Sequence, residues 1–179
     1  MDELPNEIQN IIKHNTIFKP KNKDELQEAV DLWCDNKEEA LNKYGYIKNW
    51  DTSLITDMRC LFYNKKKFNG NISNWDVSNV THMCGMFWSA ELFNKPLNNW
   101  DVSKVVKMEK MFCKASSFNQ NINSWNTRNV RNIEEMFYKA RKYNKPLDKW
   151  NVHNVKTNMR ILDYTSYKYS LEKFGYIEA

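Results

Sequence analysis

From about residue 47 onward, apolar and polar positions recur with a period of 25 and no slippage. Trp50, Trp75, Trp100, Trp125 and Trp150 set the register. Three residues before each stands Ile47, Ile72, Leu97, Ile122 or Leu147. Five after come Ile55, Val80, Val105, Val130 and Val155, and eight after come Met58, Met83, Met108 and Ile133. Leu61-Phe62, Met86-Phe87, Met111-Phe112, Met136-Phe137 and Ile161-Leu162 follow. The unit closes on Phe68, Phe93, Phe118 or Tyr143, each followed by Asn. Two local patterns lie inside a unit. Leu97-x-x-Trp100-x-Val102 sets Trp and Val on one face of an extended segment and predicts a short strand. Val105, Met108, Met111-Phe112 and Ala115 form a one-sided apolar stripe and predict a short helix, with Ser53, Ser78 and Ser103 as N-caps.

A single such unit cannot bury its own apolar face, whereas stacked units can. The spacing L-x-x-W-x-V also resembles the leucine-rich pattern L-x-x-L-x-L. The expected fold is therefore α/β. It is a short leucine-rich-repeat-like solenoid of about five 25-residue strand–helix coils with a helical N-terminal cap. The expected organisation is a helical cap over 1–46, four or more coils over 47–150, and a degenerate last repeat with a C-terminal cap over 151–179. The cap is read from Leu26, Ala29, Val30 and Trp33, which share one helical face, with Leu41 and Tyr44 after them. Tyr164, Tyr167, Tyr169 and Tyr176 crowd the opposite end.

The columns W-D-V-S-x-V-x-x-M-x-x-M-F-x-x-A-x-x-F-N are complete in unit two, from Trp75-Asp76-Val77-Ser78 through Met83, Met86-Phe87, Ala90 and Phe93-Asn94. They resemble the BspA-type leucine-rich repeat, found in mycoplasma and other bacterial surface proteins and in proteins of large DNA viruses and protists. The resemblance covers about 47–165, two thirds of the chain, and Phe18 through Trp33 resembles the segment that leads into such repeats. It implies a binding or surface module with no named activity. Unit four departs from the pattern, with Asn126-Thr127-Arg128 where Asp-Val-Ser is expected.

Composition adds three points. The 25 Asn and the many Lys fit an AT-rich genome, as in such viruses or mycoplasmas. Residues 1–40 carry a net charge of −5 and residues 41–179 a net of +10, so an acidic cap precedes a basic body. Cys34, Cys60, Cys84 and Cys113 lack CxxC spacing, and the start Met1-Asp2-Glu3-Leu4-Pro5 lacks a basic, apolar leader. Free thiols, no signal peptide, no membrane span and a cytoplasmic location (host cytoplasm or virion for a viral protein) are expected. The string Leu4-Pro5-Asn6-Glu7-Ile8 resembles the opening of an F-box, but only a relic or a plain cap fits before the lead-in segment.

Two surfaces are candidate sites. On the expected sheet face the outward residues are Asn74, Asp76 and Ser78, then Asn99, Asp101 and Ser103, then Asn126 and Arg128, then Asn151 and His153. Stacked carboxylates about 5 Å apart repel by ~1 kcal/mol even in bulk water, so something must offset them. The alternatives are turn bracing by each Asp or Asn, a protein or peptide partner, and a cation. The second surface is the row Tyr63, Trp88, Cys113, Tyr138, expected to lie off the apolar stripe, with Lys65–Lys67 and Lys139–Lys142 nearby. Exposed aromatics suit a protein interface, and aromatics beside cations suit single-stranded nucleic acid. The bland reading is that each ring folds over the next coil. His82 and Cys84 sit two apart, and no Ser/His/Asp set, Gly-rich loop or His/Cys metal cluster stands out. The expected function is a non-enzymatic protein-interaction module without cofactor or metal. Alternatives are a structural, self-associating or virion component, or a weak nucleic-acid binder.

Overall fold

The computed structural model describes residues 17–170 and 172–175. The Leu4–Ile8 string and Tyr176 lie outside the described residues. Helix α1 spans Lys23–Asp35, with Asn22 as its N-cap accepting the Glu25 N–H. Asn36 ends it and at once caps α2, Lys37–Tyr44, by accepting the Glu39 N–H. Asn suits such a junction because its short amide side chain bonds backbone groups that a helix end leaves orphaned. The face of α1 formed by Leu26, Ala29, Val30 and Trp33 is buried, as its spacing predicts. Short 3-10 turns lie at Ile47–Asn49 and Glu172–Phe174.

After the cap the chain winds in stacked 25-residue coils, but these are not strand–helix units. Among the described residues the coils hold neither an α-helix nor a β-strand, so the α/β strand–helix expectation is corrected. Only isolated parallel bridges link Asp57, His82, Lys107, Asn132 and Thr157. The expected strand fails because Trp100 N–H donates to Leu97 O and Val105 N–H to Val102 O, bending the chain twice. The expected helix fails because its apolar residues close β-turns instead: Met111 N–H donates to Met108 O and Ala115 N–H to Phe112 O. A run of i to i+3 turns puts residues three apart on one side, which imitates the helical stripe. Ser53, Ser78 and Ser103 accordingly cap no helix.

The backbone groups that a helix would pair internally are instead paired between coils. The N–H groups of Met58, Cys60, Phe62 and Asn64 donate to the carbonyls of His82, Cys84, Met86 and Trp88 in the next coil. The same set repeats down the stack, ending with Ile133, Glu135, Phe137 and Lys139 donating to Thr157, Met159, Ile161 and Asp163. Along this arc alternate peptide planes all point the same way, unlike a parallel sheet, where successive groups alternate sides. Two columns of left-handed residues make that possible. Cys60, Gly85, Lys110, Glu135 and Arg160 form one, and Asn64, Ser89, Lys114, Lys139 and Tyr164 the other, all with φ between 51° and 61°. Left-handed backbone costs an L-residue roughly 1–2 kcal/mol, so the inter-coil bonds and the core they hold in place must offset it.

The core is the inside of the stack. Phe62, Phe87, Phe112 and Phe137 stack at 5.3, 5.4 and 5.6 Å with nearly parallel planes. Phe68, Phe93, Phe118 and Tyr143 form a second pile at 5.7 to 6.1 Å. The register tryptophans are buried, and from Trp75 on each indole N–H reaches a carbonyl 28 residues earlier, while that of Trp50 donates to Gly45 O in the cap. Trp75 donates to Ile47 O at 2.8 Å, Trp100 to Ile72 O at 3.2 Å, Trp125 to Leu97 O at 2.9 Å and Trp150 to Ile122 O at 3.0 Å. The asparagines after Phe form a second ladder. Asn69, Asn94 and Asn119 each accept the N–H of the Asn one coil on, at 2.9 to 3.1 Å. At the last coil, where no further tryptophan follows, the Lys173 ammonium donates to Leu147 O, Asp148 O and Trp150 O.

Three substitutions test these columns in urea melts. Trp100→Phe removes one of the two donors to the Ile72 carbonyl, which keeps the Trp75 N–H, and leaves a gap; it should cost about 2–4 kcal/mol, while Trp88→Phe, off register, should cost under about 1 kcal/mol. Tyr143 occupies a phenylalanine column, and its buried hydroxyl has no hydrogen-bond partner among the described residues. Tyr143→Phe should therefore raise stability by about 1 kcal/mol. Equal losses for the two tryptophans would contradict the indole ladder.

Candidate functional site

The polar face expected on a sheet is a column of Asx turns. In each, the side-chain oxygen accepts the N–H two residues on. Asp51 takes that of Ser53, Asp76 of Ser78, Asp101 of Ser103, Asn126 of Arg128 and Asn151 of His153, at 2.9 to 3.3 Å. This geometry is the turn-bracing alternative, and it explains why Asn replaces Asp in coils four and five at no geometric cost. Asn74, Asp76, Asn99, Asp101, Asn126, Arg128, Asn151 and His153 are all exposed, with Ser78 and Ser103 half-buried. Behind them Asn79, Asn129 and Asn154 donate side-chain amide N–H to Ser53 O, Ser103 O and Arg128 O of the preceding coil. Lys104, in the same column, instead reaches the Asn79 side-chain oxygen at 2.7 Å.

Among the described residues, only the first member of the Asp column carries an ion pair. The Lys19 ammonium lies 2.8 Å from Asp51, and with the Ser53 groups it holds that carboxyl down to about 2. The hydroxyl and N–H of Ser103 lower Asp101 as well.

The aromatic row is a second surface, on a different arc of the coil. Tyr63 is 49% exposed, and its ring meets the half-buried Trp88 edge-on at 5.1 Å. Cys113 is buried, which corrects its expected exposure and interrupts the row. Tyr138 continues the row, half-buried and edge-on to Tyr164 at 5.5 Å. Cations cover these rings. Lys110 lies 5.5 Å from the Trp88 ring, and Arg160 4.1 Å and Lys139 5.0 Å from that of Tyr138. Each such contact contributes ~0.5–1 kcal/mol at an exposed site. Sequence reasoning singled out the lysine loops but missed Lys110 and Arg160. Both sit 22 residues after the ring they cover, a spacing that means neighbours only once the coils stack with a left-handed residue there.

The lysine loop after Tyr63 serves the cap. Lys65 Nζ lies 2.9 Å from Asp31 and 3.4 Å from Asp35, tying α1 to the first coil. The cleft of about 570 Å³ beside it, walled by Trp33, Lys37, Lys65 and Lys67, is where cap and coil meet. Lys139–Lys142, by contrast, leaves Arg141 and Lys142 exposed. Burial pushes the Cys34 and Cys113 thiols up to about 11, and burial with the Glu109 carboxylate pushes Cys84 to about 12. His82 is engaged with the Thr81 hydroxyl at 2.9 Å. Among the described residues no group of three or more His, Cys, Asp or Glu is arranged to hold a metal ion, and no helix is long and apolar enough to cross a membrane.

A family model described as "Mycoplasma protein of unknown function, DUF285" matches residues 25–125 and, in an overlapping second match, residues 79–174. No curated protein and no solved structure matches the chain.

The Lys19–Asp51 pair gives a pH test. A carboxyl lowered on folding adds stability above its unfolded value of 3.8, and that contribution fades as pH falls through about 2. Asp51→Asn keeps the Asx turn but cannot ionise. The stability gap between wild type and Asp51→Asn, measured by urea melts, should be constant above about pH 5 and narrow from about pH 4 to about pH 2. A pH-independent gap would remove the ion pair from the account.

Proposed function

The chain belongs to that Mycoplasma family of unknown function, and from this premise we propose that it is a non-enzymatic protein-binding module of the BspA-like repeat type. The observation that carries the reading is the row of Tyr63, Trp88 and Tyr138, aromatics held at the surface by edge-on packing and by cations from the next coil. Large rigid rings lose little side-chain entropy on binding and dominate interface energies. The lysine and arginine beside them favour an acidic partner surface. The Asx column supports the row by fixing the coil shape, and its outward atoms offer a secondary polar contact at Asp76 and Asp101. The pushed-up thiols favour a binding role over covalent chemistry, since the nucleophile is the thiolate. The free cysteines suit a reducing compartment such as the cytoplasm.

The test is affinity capture with three forms of the full chain: wild type, Tyr63→Ser/Trp88→Ser, and Asp76→Lys/Asp101→Lys. Recovery of a specific protein partner should fall at least about tenfold in the aromatic variant and much less in the Asp variant. Equal recovery by wild type and the aromatic variant would overturn the assignment of the row. Salt-dependent binding of a single-stranded oligonucleotide, lost in the same variant, would replace the protein partner with nucleic acid.

A further inference from the structure

Two free thiols, used by neither the aromatic row nor the Asx column, meet at one corner of the stack. Cys60 is exposed and Cys84 half-buried. Cys60 is the third residue of the turn Met58–Leu61, and Cys84 the second residue of the turn Met83–Met86 in the next coil. The middle residues of these turns face outward: Arg59 and Cys60 are exposed, while Met58 and Leu61 are buried. The Cys60 N–H donates to Cys84 O at 3.0 Å, so the peptide entering Cys60 lies over the peptide leaving Cys84. Cys84 is therefore the diagonal neighbour of Cys60. With coils ~4.8 Å apart and successive Cα atoms ~3.8 Å apart, the two Cα atoms lie roughly 6 Å from each other, inside the range that a disulfide spans.

The side chains around this corner agree. The Cys60 Sγ lies 3.8 Å from the Cys84 carbonyl oxygen. It hangs over Gly85, where a Cβ would stand 3.3 Å from that sulfur. Gly85 belongs to the column that otherwise holds Cys60, Lys110, Glu135 and Arg160, so the repeat gives up a side chain where the sulfur needs room. Asp57, and after it the Cys84 and Cys60 sulfurs, hold the Arg59 guanidinium above its ordinary range, which sets one cation beside both thiols. One coil further on, Glu109 occupies the position of Cys84. Its Oε2 is buried with no hydrogen-bond partner among the described residues, and its carboxylate acts with burial to keep the Cys84 thiol protonated.

We propose that Cys60 and Cys84 close a reversible disulfide when a hydroperoxide oxidises them, stapling the first coil to the second. The exposed Cys60 sulfur, as thiolate, attacks one oxygen of the hydroperoxide ROOH. The O–O bond breaks, ROH leaves with the proton that Cys60 gave up, and Cys60 becomes a sulfenic acid. The Cys84 sulfur then attacks the Cys60 sulfur while Glu109 takes its proton. The S–O bond breaks, the hydroxide leaves as water with that proton, and the S–S bond forms. Two thiols together lose two electrons, and one hydroperoxide is reduced to ROH and water. In a reducing compartment the pair stays open until oxidant arrives, and a thiol reductant reopens it. The inference uses other atoms than the aromatic row and stands without the function proposed above.

The test treats the full chain, reduced and freed of reductant, with hydrogen peroxide. Two of the four thiols should be lost, the chain should run as a monomer on a non-reducing gel, and peptide mapping should find Cys60 linked to Cys84. Dithiothreitol should remove the link. Cys84→Ser should stop at the first step and hold on Cys60 a sulfenic acid that dimedone traps. Cys60→Ser should lose thiols at least about tenfold more slowly than wild type, because the remaining thiols are half-buried or buried. Thermal melts establish that both variants are folded. Wild type that keeps all its thiols, or that links Cys60 to another chain or to Cys34 or Cys113, overturns the proposal. Oxidation of Cys60→Ser at the wild-type rate overturns it as well.

Discussion

The constraint on which the structure depends is that each coil must bond its backbone to its neighbours. Within a coil the turns satisfy only every second group along the inner arc. The remainder point along the stack axis and are met by the next coil. Buried backbone groups left unpaired would cost ~1–3 kcal/mol each, so a lone coil has no stable form and the stack forms as a unit. The indole ladder uses the same logic with side chains. A tryptophan fills the core and also gives a carbonyl of the preceding coil its second donor.

Strict repetition follows from that constraint. Rings stack at the coil spacing only if every coil advances by the same amount, and an insertion of one residue would rotate every later column. Polar residues share the register. The asparagine after each Phe accepts from the asparagine one coil on, and the Asx turns repeat where Asp and Asn interchange. The abundance of Asn is thus structural as well as compositional. An amide carries both donor and acceptor, so one residue type can serve in ladders, turns and helix caps.

The ends are where the pattern must be broken, and they are chemically distinct. At the head, α1 supplies an apolar face, and Gln27 donates to Leu61 O at the carbonyl pole of the first coil. At the tail, an ammonium replaces the missing indole on the Leu147–Trp150 arc. The acid–base split of the sequence separates the cap from the body of coils. Surface chemistry therefore varies along the axis even though the interior is uniform.

The sequence by itself determined the register, the core columns, the cap face and the Asn ladder, because each is a repeat of residue types at fixed spacing. It also marked Tyr63, Trp88 and Tyr138 as out of the core pattern. It did not determine the local conformation. Apolar residues three apart arise from a helix and from consecutive β-turns alike, and the left-handed positions hold Cys, Lys, Glu, Arg, Ser and Tyr as well as Gly and Asn, so no turn-forming residue type announces them. Only stacking decided the matter, since the inter-coil bonds that offset left-handed strain exist only when the neighbouring coil is in place. The same stacking buried Cys113 and set Lys110 and Arg160 over rings 22 residues away, contacts that no window along one coil contains.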